Sequence, residues 1–322
     1  MEKLLFKQPS LTISQQLTLL QEKGLIIDDL ASAEHWLSYN SYFRFKHYSD
    51  SFKDYKNGNG NYFPSTKFEV IRDLYLFDRK IKMLIFGALE NIEIAVKTQL
   101  TNTMAAAYGP HWYTDAGHFI SEQERRQIIR NIRIDQDIPK GFDHATFIWG
   151  IEDHMKDPEE PFLKNYKNTY EPLHPPSWMM VEIITFGTLS ILFENLKPCD
   201  EKTRIHEHFG LTKKHFVSWL HCFSFIRNKC AHHARLVYEK INFAPALPQR
   251  KSRQFLIEAE DVDHASLYAV LCCIQQMICT CNKISLFKEH LLDLIDTYQS
   301  INYTRLGFTE HWREEPLWSL TK

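Results

Sequence analysis

The sequence predicts an all-α protein, and three observations indicate this class. Apolar residues recur at spacings of three and four over most of the chain, which is the period of helices with one buried face. No series of strictly alternating apolar and polar residues, the pattern of half-buried strands, is present. Hydrophobic side chains make up 44% of the 322 residues, which is enough for a large core. We therefore expect one compact helical bundle with an N-terminal helical extension.

The predicted extension covers residues 1–66. Ser10 or Thr12 is suited to begin its first helix and Gly24 to end it, because short polar side chains cap helix starts and glycine favours helix ends. A second helical stretch, "LASAEHWLSYNSYFRFKHYSDSFKDY", becomes aromatic and continues to the loop "KNGNGNYFPS", whose glycine and proline residues indicate a turn.

The predicted bundle covers residues 67–300, and residues 301–322 form a tail. Its longest helix begins near Thr66, and a stripe at helical spacing predicts the buried face of this helix: Ile71, Leu74, Phe77, Ile81, Leu84, Ile85, Ala88, Ile92, Ala95 and Val96. A proline-rich, charged segment at 156–177 predicts an irregular insertion. Further helical patterns extend over 178–196, 212–238 and 263–294.

Composition favours a cytoplasmic protein without a metal or other cofactor. No apolar run approaches the roughly 18 residues of a membrane span, and the first residues lack the apolar segment of a signal peptide. The seven cysteines are odd in number and have apolar neighbours, as in "CCIQQMICTC", so we expect reduced thiols rather than disulfides or a zinc site. The net charge of −2 gives no general basic excess for nucleic acid, which leaves only local basic patches.

The stretch "FIRNKCAHHARL", residues 225–236, places polar and titratable side chains inside an apolar helical pattern. On one ideal helix over residues 216–237, Asn228, His232 and Arg235 gather on a polar stripe that Arg227 borders. Arg227 and His232 are then separated by roughly 140° around the axis, so they converge only if the helix is distorted or if a second copy of the chain contributes.

Arginine and histidine together suit the cleavage of RNA. Histidine gives and takes protons near neutral pH, and arginine presents a planar fork of donors that matches a phosphate and its charged transition state. RNA supplies its own nucleophile in the 2′-hydroxyl, so this pair needs no metal. We therefore take Arg227, Asn228 and His232 as the candidate catalytic residues. The alternative is a capping or surface ion-paired couple without catalysis.

Two further residues are candidates for supporting roles. His233 projects between Ile226 and Val237 on the same ideal helix, so packing or solvent exposure is favoured over catalysis. Glu90 could orient a group of the site, whereas Glu93 is spaced for an ion pair with Lys97.

Two segments are candidate RNA-binding surfaces. In "SYFRFKHY", the cations Arg44, Lys46 and His47 alternate with aromatic rings on which unpaired bases could stack. Core packing of those rings is an equal alternative. In "SEQERRQIIRNIR" the candidates are basic residues: Arg125, Arg126, Arg130 and Arg133.

Several separated stretches resemble one family in the same order along the chain. "RNKCAH" is similar to the Arg-x(4–6)-His signature of HEPN ribonucleases. Five stretches resemble the Abi-like proteins of bacterial abortive infection, the AbiD/AbiF group. In chain order they are "LTISQQLTLLQEKGLIIDD", "SYFRFKHY", "LYLFDRKIKMLIFGALENIEIAVKTQL", "SWMMVEIITFGTLSILFENL" and "FVSWLHCFSFIRNKCAHHARL". The resemblance extends from about Leu11 to Leu236. It departs from the family's usual "RLWN", which reads "RLVY" here, and from "YYRLSGYW", which reads "YFRFKHYS".

The resemblance implies a HEPN-type bundle, a homodimer whose motifs face each other, metal-independent endoribonuclease activity and, for the AbiF group, a structured small RNA as a partner that controls the protein or is associated with it. It also makes the helix of Glu90 a partner of the motif helix. Two other functions remain open: an RNA-binding protein that sequesters a small RNA without cutting it, and a helical interaction protein whose motif only builds a dimer interface.

Overall fold

A computed structural model of the chain describes residues 9–56, 60–131, 141–171, 173–248, 255–257 and 259–319, with the side chains of 128–131 left out. These residues form thirteen α-helices and one antiparallel pair of two-residue strands, so the predicted all-α class is confirmed. The strands are β1 Lys53–Asp54 and β2 Asn61–Tyr62. The helices are α1 Ile13–Glu22, α2 Leu30–Asn40, α3 Tyr42–Ser49, α4 Phe68–Tyr108, α5 Glu122–Asn131, α6 His144–Lys156, α7 Pro161–Thr169, α8 Ser177–Ile183, α9 Phe186–Asn195, α10 Asp200–His208, α11 Lys213–Ala231, α12 Leu267–Cys281 and α13 Phe287–Thr297.

The central element is α4, which has 41 residues and is therefore about 60 Å long. Helices α3, α8, α10, α11, α12 and α13 all pack against it. Its predicted apolar stripe is buried, except that Leu84 and Ala95 are half-buried. Because so many helices share one partner, residues on α4 face the N-terminal helices, the motif helix and the C-terminal helices at once.

The N-terminal helices begin and end where short polar residues and positive φ angles dictate. Thr12 caps α1 in a reciprocal capping box with Gln15, which decides between the two predicted start residues. The predicted second helix is divided in two, because Ser41 has a non-helical φ of 49° and separates α2 from α3. Phe45 and Tyr48 of α3 are buried against α4. The boundary at residue 66 stays a prediction.

Three predicted elements of the bundle need correction. The helix expected over 178–196 is two helices, because Thr185 takes an extended conformation and caps α9 through the N–H of Thr188. The helix expected over 263–294 likewise breaks after Cys281, where Asn282 is extended. The irregular insertion expected at 156–177 contains α7, which Pro161 begins at a position where its missing N–H costs nothing.

The last described residues pack onto α12 rather than extending from the bundle. Trp318 is 1% exposed, and its Nε1 donates to the Tyr268 hydroxyl at 3.1 Å. The rings of Trp312 and Phe308 also contact Tyr268. The C-terminal segment therefore adds an aromatic cluster to the core.

Replacing Trp318 with alanine is expected to lower the free energy of unfolding by about 3–5 kcal/mol, because a fully buried indole leaves a cavity. Trp149→Ala is the matched control, since Trp149 on α6 is 59% exposed and its loss is expected to cost about 0.5 kcal/mol or less. Urea unfolding of both variants measures the difference. Equal losses would contradict the packing described for Trp318.

Candidate functional site

The motif helix α11 ends at Ala231, six residues earlier than an unbroken helix through Val237 requires. The N–H of His233 donates to the carbonyl of Cys230 at 3.2 Å, and the N–H of Ala234 donates to the carbonyl of Lys229 at 2.9 Å. This pair of bonds is a Schellman ending, which needs a left-handed residue, and His233 supplies it with a φ of 56°. The prediction of one helix over 212–238 is therefore wrong.

The helix ending changes where the motif side chains lie. His232 is the C-cap residue, and it is exposed together with Asn228 and His233. The expected position of His233 between Ile226 and Val237 is wrong, because His233 has left the helix. Arg235, expected on the polar stripe, is instead 6% exposed.

Arg227 lies at the contact between α11 and α4. Its guanidinium is 5.5 Å from the centre of the Phe86 ring, and its Nη1 is 3.4 Å from Oδ1 of Asn228. The aromatic face holds the guanidinium by a cation–π attraction while the side chain stays half-buried. No hydrogen bond or ion pair joins Arg227 to His232 within the described part of the chain.

Asp78 of α4 fixes the backbone that follows the motif. Its carboxylate is fully buried, and Oδ1 accepts the N–H groups of Leu236 and Val237, each at 2.9 Å. Oδ2 accepts the hydroxyl of Tyr48 at 2.7 Å and lies 2.7 Å from Nζ of Lys82. A buried carboxylate needs such donors, because its charge has lost the solvation of water.

Lys82 completes the attachment from the next turn of α4. Its Nζ pairs with Asp78 and also donates to the carbonyl of Ala234 at 3.0 Å. The two charged residues therefore hold both the N–H and the C=O groups of residues 234–237. Sequence reasoning missed them, although a signal was present: Asp78 and Lys82 are charges one turn apart, beside Phe77 and Ile81 on the buried stripe.

Arg235 ties the same segment to the N-terminal helices. Its Nη1 donates to the carbonyl of His47, its Nη2 to Oγ of Ser51, and its Nε to the carbonyl of Val237. The guanidinium also lies 5.1 Å from the centre of the Tyr48 ring. Burial lowers the pKa of the Arg235 guanidinium below its ordinary value. The interaction is structural, because all of its named partners lie inside the fold.

Tyr238 occupies the position at which the family's usual "RLWN" has asparagine. Its φ is 59°, in the left-handed region that asparagine tolerates better than an aromatic residue. The Arg305 guanidinium stacks on its ring at 4.0 Å, and its hydroxyl accepts the N–H of Asn302 at 3.0 Å. Contacts with the C-terminal segment therefore stabilise the departure.

A cleft of about 710 Å³ lies beside the motif, between α3, α4 and the end of α11. Its lining includes side chains from all three elements: Arg44, Tyr75, Arg79, Lys82, Phe86 and His233. His233, rather than His232, faces it. The Arg44 Nη1 donates to the carbonyl of His233 at 3.4 Å, so α3 and the helix ending share a wall.

The comparison with protein families identifies the chain. The family model for Abi-like proteins matches residues 35–238, from α2 to the segment after the motif that Asp78 and Lys82 hold. The protein belongs to the Abi-like family. This membership supports a role in abortive infection, a bacterial defence against phage. A search of curated proteins and a search of solved structures each gave no match.

Of the basic residues predicted to bind RNA in this Abi-like protein, only Arg44 lines the cleft beside the motif, among the residues that the structure describes. Of the α3 candidates, Arg44 lines the cleft, whereas Lys46 and His47 are exposed and absent from its lining. The aromatic residues of that segment divide: Phe45 and Tyr48 are core, and Phe43 is 80% exposed.

The arginine cluster of α5 lies apart from the motif cleft. Nη1 of Arg125 donates to Oδ1 of Asn195 at 2.7 Å, and Arg126 pairs with Glu122 at 3.0 Å. The side chain of Arg130 and the whole of Arg133 lie outside the described residues. RNA binding by this cluster stays a prediction.

The remaining candidates are Glu90 and the thiols. Glu93 and Lys97 form the predicted ion pair at 3.0 Å, while Glu90 is exposed one turn after Phe86. Cys230 is buried, and burial raises the pKa of its thiol to about 12, as expected for a small apolar side chain. Within the described ranges no group of three or more metal-ligating side chains is assembled. None of the helices described combines the length and apolar character needed to cross a bilayer.

Replacing Asp78 with asparagine is expected to cost about 3–5 kcal/mol of unfolding free energy, because the buried Lys82 loses its counter-charge. Amide exchange at Leu236 and Val237 should accelerate in the variant, since both N–H groups donate to the carboxylate.

Asp73→Asn on the same helix is the matched control. Asp73 pairs with Arg72, and about a third of each side chain is exposed, so the loss of this pair is expected to cost about 0–1 kcal/mol. Hydrogen exchange by mass spectrometry and urea unfolding read out both variants. Unchanged amide exchange at Leu236 and Val237 after Asp78→Asn would contradict the role assigned to the Asp78 carboxylate.

Proposed function

We propose that this Abi-like protein is a metal-independent endoribonuclease of the HEPN type that acts in abortive infection. The observation that supports this proposal best is the end of α11. There the exposed His232 follows Arg227, whose guanidinium is held on Phe86, and the backbone beyond is fixed by Asp78. A half-buried arginine held on an aromatic ring and an exposed histidine, followed by a backbone segment that buried charges hold in place, suit a reactive site, because catalytic groups need rigid support.

The reaction follows from the chemistry of the two side chains. His232 takes the proton of the 2′-hydroxyl, and that oxygen attacks the adjacent phosphorus. The bond from phosphorus to the 5′-oxygen breaks, and the leaving oxygen receives a proton from an imidazolium. Arg227 stabilises the charge on the phosphate oxygens in the transition state. Asn228, 3.4 Å from Arg227, orients the guanidinium. The products are a 2′,3′-cyclic phosphate and a 5′-hydroxyl.

The active form in this proposal is a homodimer. Within one chain Arg227 and His232 have no described bond, and only one imidazole of the motif is assigned to chemistry. Two copies related by a two-fold axis would bring two arginines and two histidines to one phosphate. One histidine could then act as base while the other, protonated, acts as acid.

A structured small RNA that controls the protein or is associated with it, as the family resemblance implies, is part of the same proposal. A second function remains a candidate: the protein could sequester such an RNA without cutting it. The observation that favours this alternative is the cleft, whose arginine side chains suit RNA binding independently of His232.

Arg227→Ala and His232→Ala are each expected to abolish RNA cleavage and cellular toxicity while leaving the fold intact. Chelation of divalent cations with EDTA should leave wild-type cleavage unchanged, and the products should carry 2′,3′-cyclic phosphates. Gel assays on total RNA and mass spectrometry of product ends measure these outcomes.

His233→Gly is the control, because glycine suits the left-handed conformation of residue 233. This variant is expected to retain cleavage and to match or exceed the wild-type stability, by up to about 1 kcal/mol. Full activity of His232→Ala, or inhibition by EDTA, would refute the assigned chemistry. RNA that is bound but never cut would favour the sequestering function.

The wild-type protein is expected to form dimers at micromolar concentration, and Arg227→Ala and His232→Ala should dimerise equally well. Light scattering with and without RNA measures the mass. A strict monomer that cleaves RNA would refute the dimeric site.

A further inference from the structure

The lining of the cleft beside the motif carries positive charge. Among its described lining residues are Arg44, Arg79 and Lys82, and none is acidic. The charge of Lys82 is neutralised by its ion pair with Asp78, so Arg44 and Arg79 carry the remaining positive charge of the cleft. Arg79 is exposed and has no ion pair within the described residues. In a chain of net charge −2, this concentration of cations suits a ligand with negative charges.

The same cleft offers aromatic and apolar surface. Tyr75 is half-buried and its ring is held at 5.3 Å from those of Trp36 and Tyr48. Met83 is 68% exposed, although α4 is otherwise the central core helix. Phe86 lies between the cleft and the Arg227 guanidinium. Rings held in place next to cations suit unpaired bases, which stack on aromatic faces while their phosphates bind arginine.

The cleft is joined to the candidate catalytic site through the peptide that follows His232. Arg44 donates to the carbonyl of His233, and Lys82 donates to the carbonyl of Ala234. A strand held by Arg44 and Arg79 would therefore reach the helix ending directly. The bases of a duplex are hidden in its stack, so only an unpaired segment could use both the rings and the cations.

We propose that this cleft binds a single-stranded segment of the RNA substrate, with Arg79 contacting a phosphate next to the one that is cut. The assignment rests on the proposed ribonuclease function and deepens it. It makes unpaired RNA the substrate class. Its volume of about 710 Å³ falls within the range of roughly 300–1,000 Å³ that is typical of ligand pockets.

The test uses the full chain carrying His232→Ala, so that the RNA stays intact during binding. Fluorescence anisotropy with a labelled, unstructured oligoribonucleotide measures Kd in this background, alone and with Arg79→Ala. The matched control is Lys80→Ala. Lys80 is the next residue of α4, is also exposed, and places its Nζ 5.1 Å from the Tyr298 ring, so it is not in the cleft.

Arg79→Ala is expected to weaken binding about tenfold or more, because one charge-assisted hydrogen bond to a phosphate is lost. The slope of log Kd against log salt should decrease by about 0.7, the value for one phosphate contact on a single strand. Lys80→Ala should change neither quantity appreciably. Photocrosslinks from 4-thiouridine RNA should map to Tyr75, Met83 or Phe86.

Three results would overturn the cleft assignment: equal binding by Arg79→Ala and its parent, equal losses from Arg79→Ala and Lys80→Ala, or tighter binding of a fully paired duplex than of the single strand. Efficient displacement of the RNA by an equal concentration of a polyglutamate peptide would also overturn it, since the cleft would then recognise negative charge alone.

Cleavage assays separate this inference from the proposed function. In a protein with His232 intact, Arg79→Ala should raise KM for unstructured RNA while kcat is retained. If the wild type cuts RNA but Arg79→Ala has the wild-type KM, the cleft assignment fails and the ribonuclease remains. If no RNA is cut but Arg79→Ala still weakens binding, the ribonuclease fails and the cleft remains an RNA site.

Discussion

The buried carboxylate of Asp78 is the interaction on which the rest of the site depends. It accepts two backbone N–H groups beyond the motif, the hydroxyl of Tyr48 on α3 and the ammonium of Lys82. An unpaired carboxylate in the core would be strongly destabilising, so these donors must be present together when the chain folds. One side chain of the central helix therefore fixes the relation between the N-terminal helices and the segment after the motif.

The early end of α11 is the second constraint, and it determines which groups reach the surface. The left-handed conformation of His233 turns the chain away from the helix, which exposes both histidines. Arg44 and Lys82 then donate to carbonyls of the following peptide, and Arg235 of that peptide donates to the carbonyl of His47 on α3. The strain of a non-glycine residue at such a position is offset by these surrounding contacts.

The family match and the geometry complement each other. The matched range, 35–238, contains Asp78, Lys82 and Arg235, which hold the site, as well as the half-buried Arg227 and the exposed His232, to which the chemistry is assigned. The Arg305 stack that holds Tyr238 comes from beyond that range. The Asp78, Lys82 and Arg235 contacts thus lie inside the Abi-like region. The C-terminal segment supports Tyr238, where the sequence departs from the family's usual "RLWN".

The sequence by itself determined the all-α class, the buried face of α4 and the family, because helical periodicity and ordered motifs are local properties of the chain. It also located Arg227 and His232 as the chemically distinctive pair. It could not locate the break at Ser41 or the end of α11, since non-glycine residues there adopt left-handed conformations that only tertiary contacts stabilise. Asp78 and Lys82 bind backbone groups more than 150 residues away along the chain, so their structural role is visible only in the folded protein. Likewise, only folding brings Arg44 of α3 and Arg79 of α4 to one cleft beside the motif, because packing between distant segments decides which side chains become neighbours.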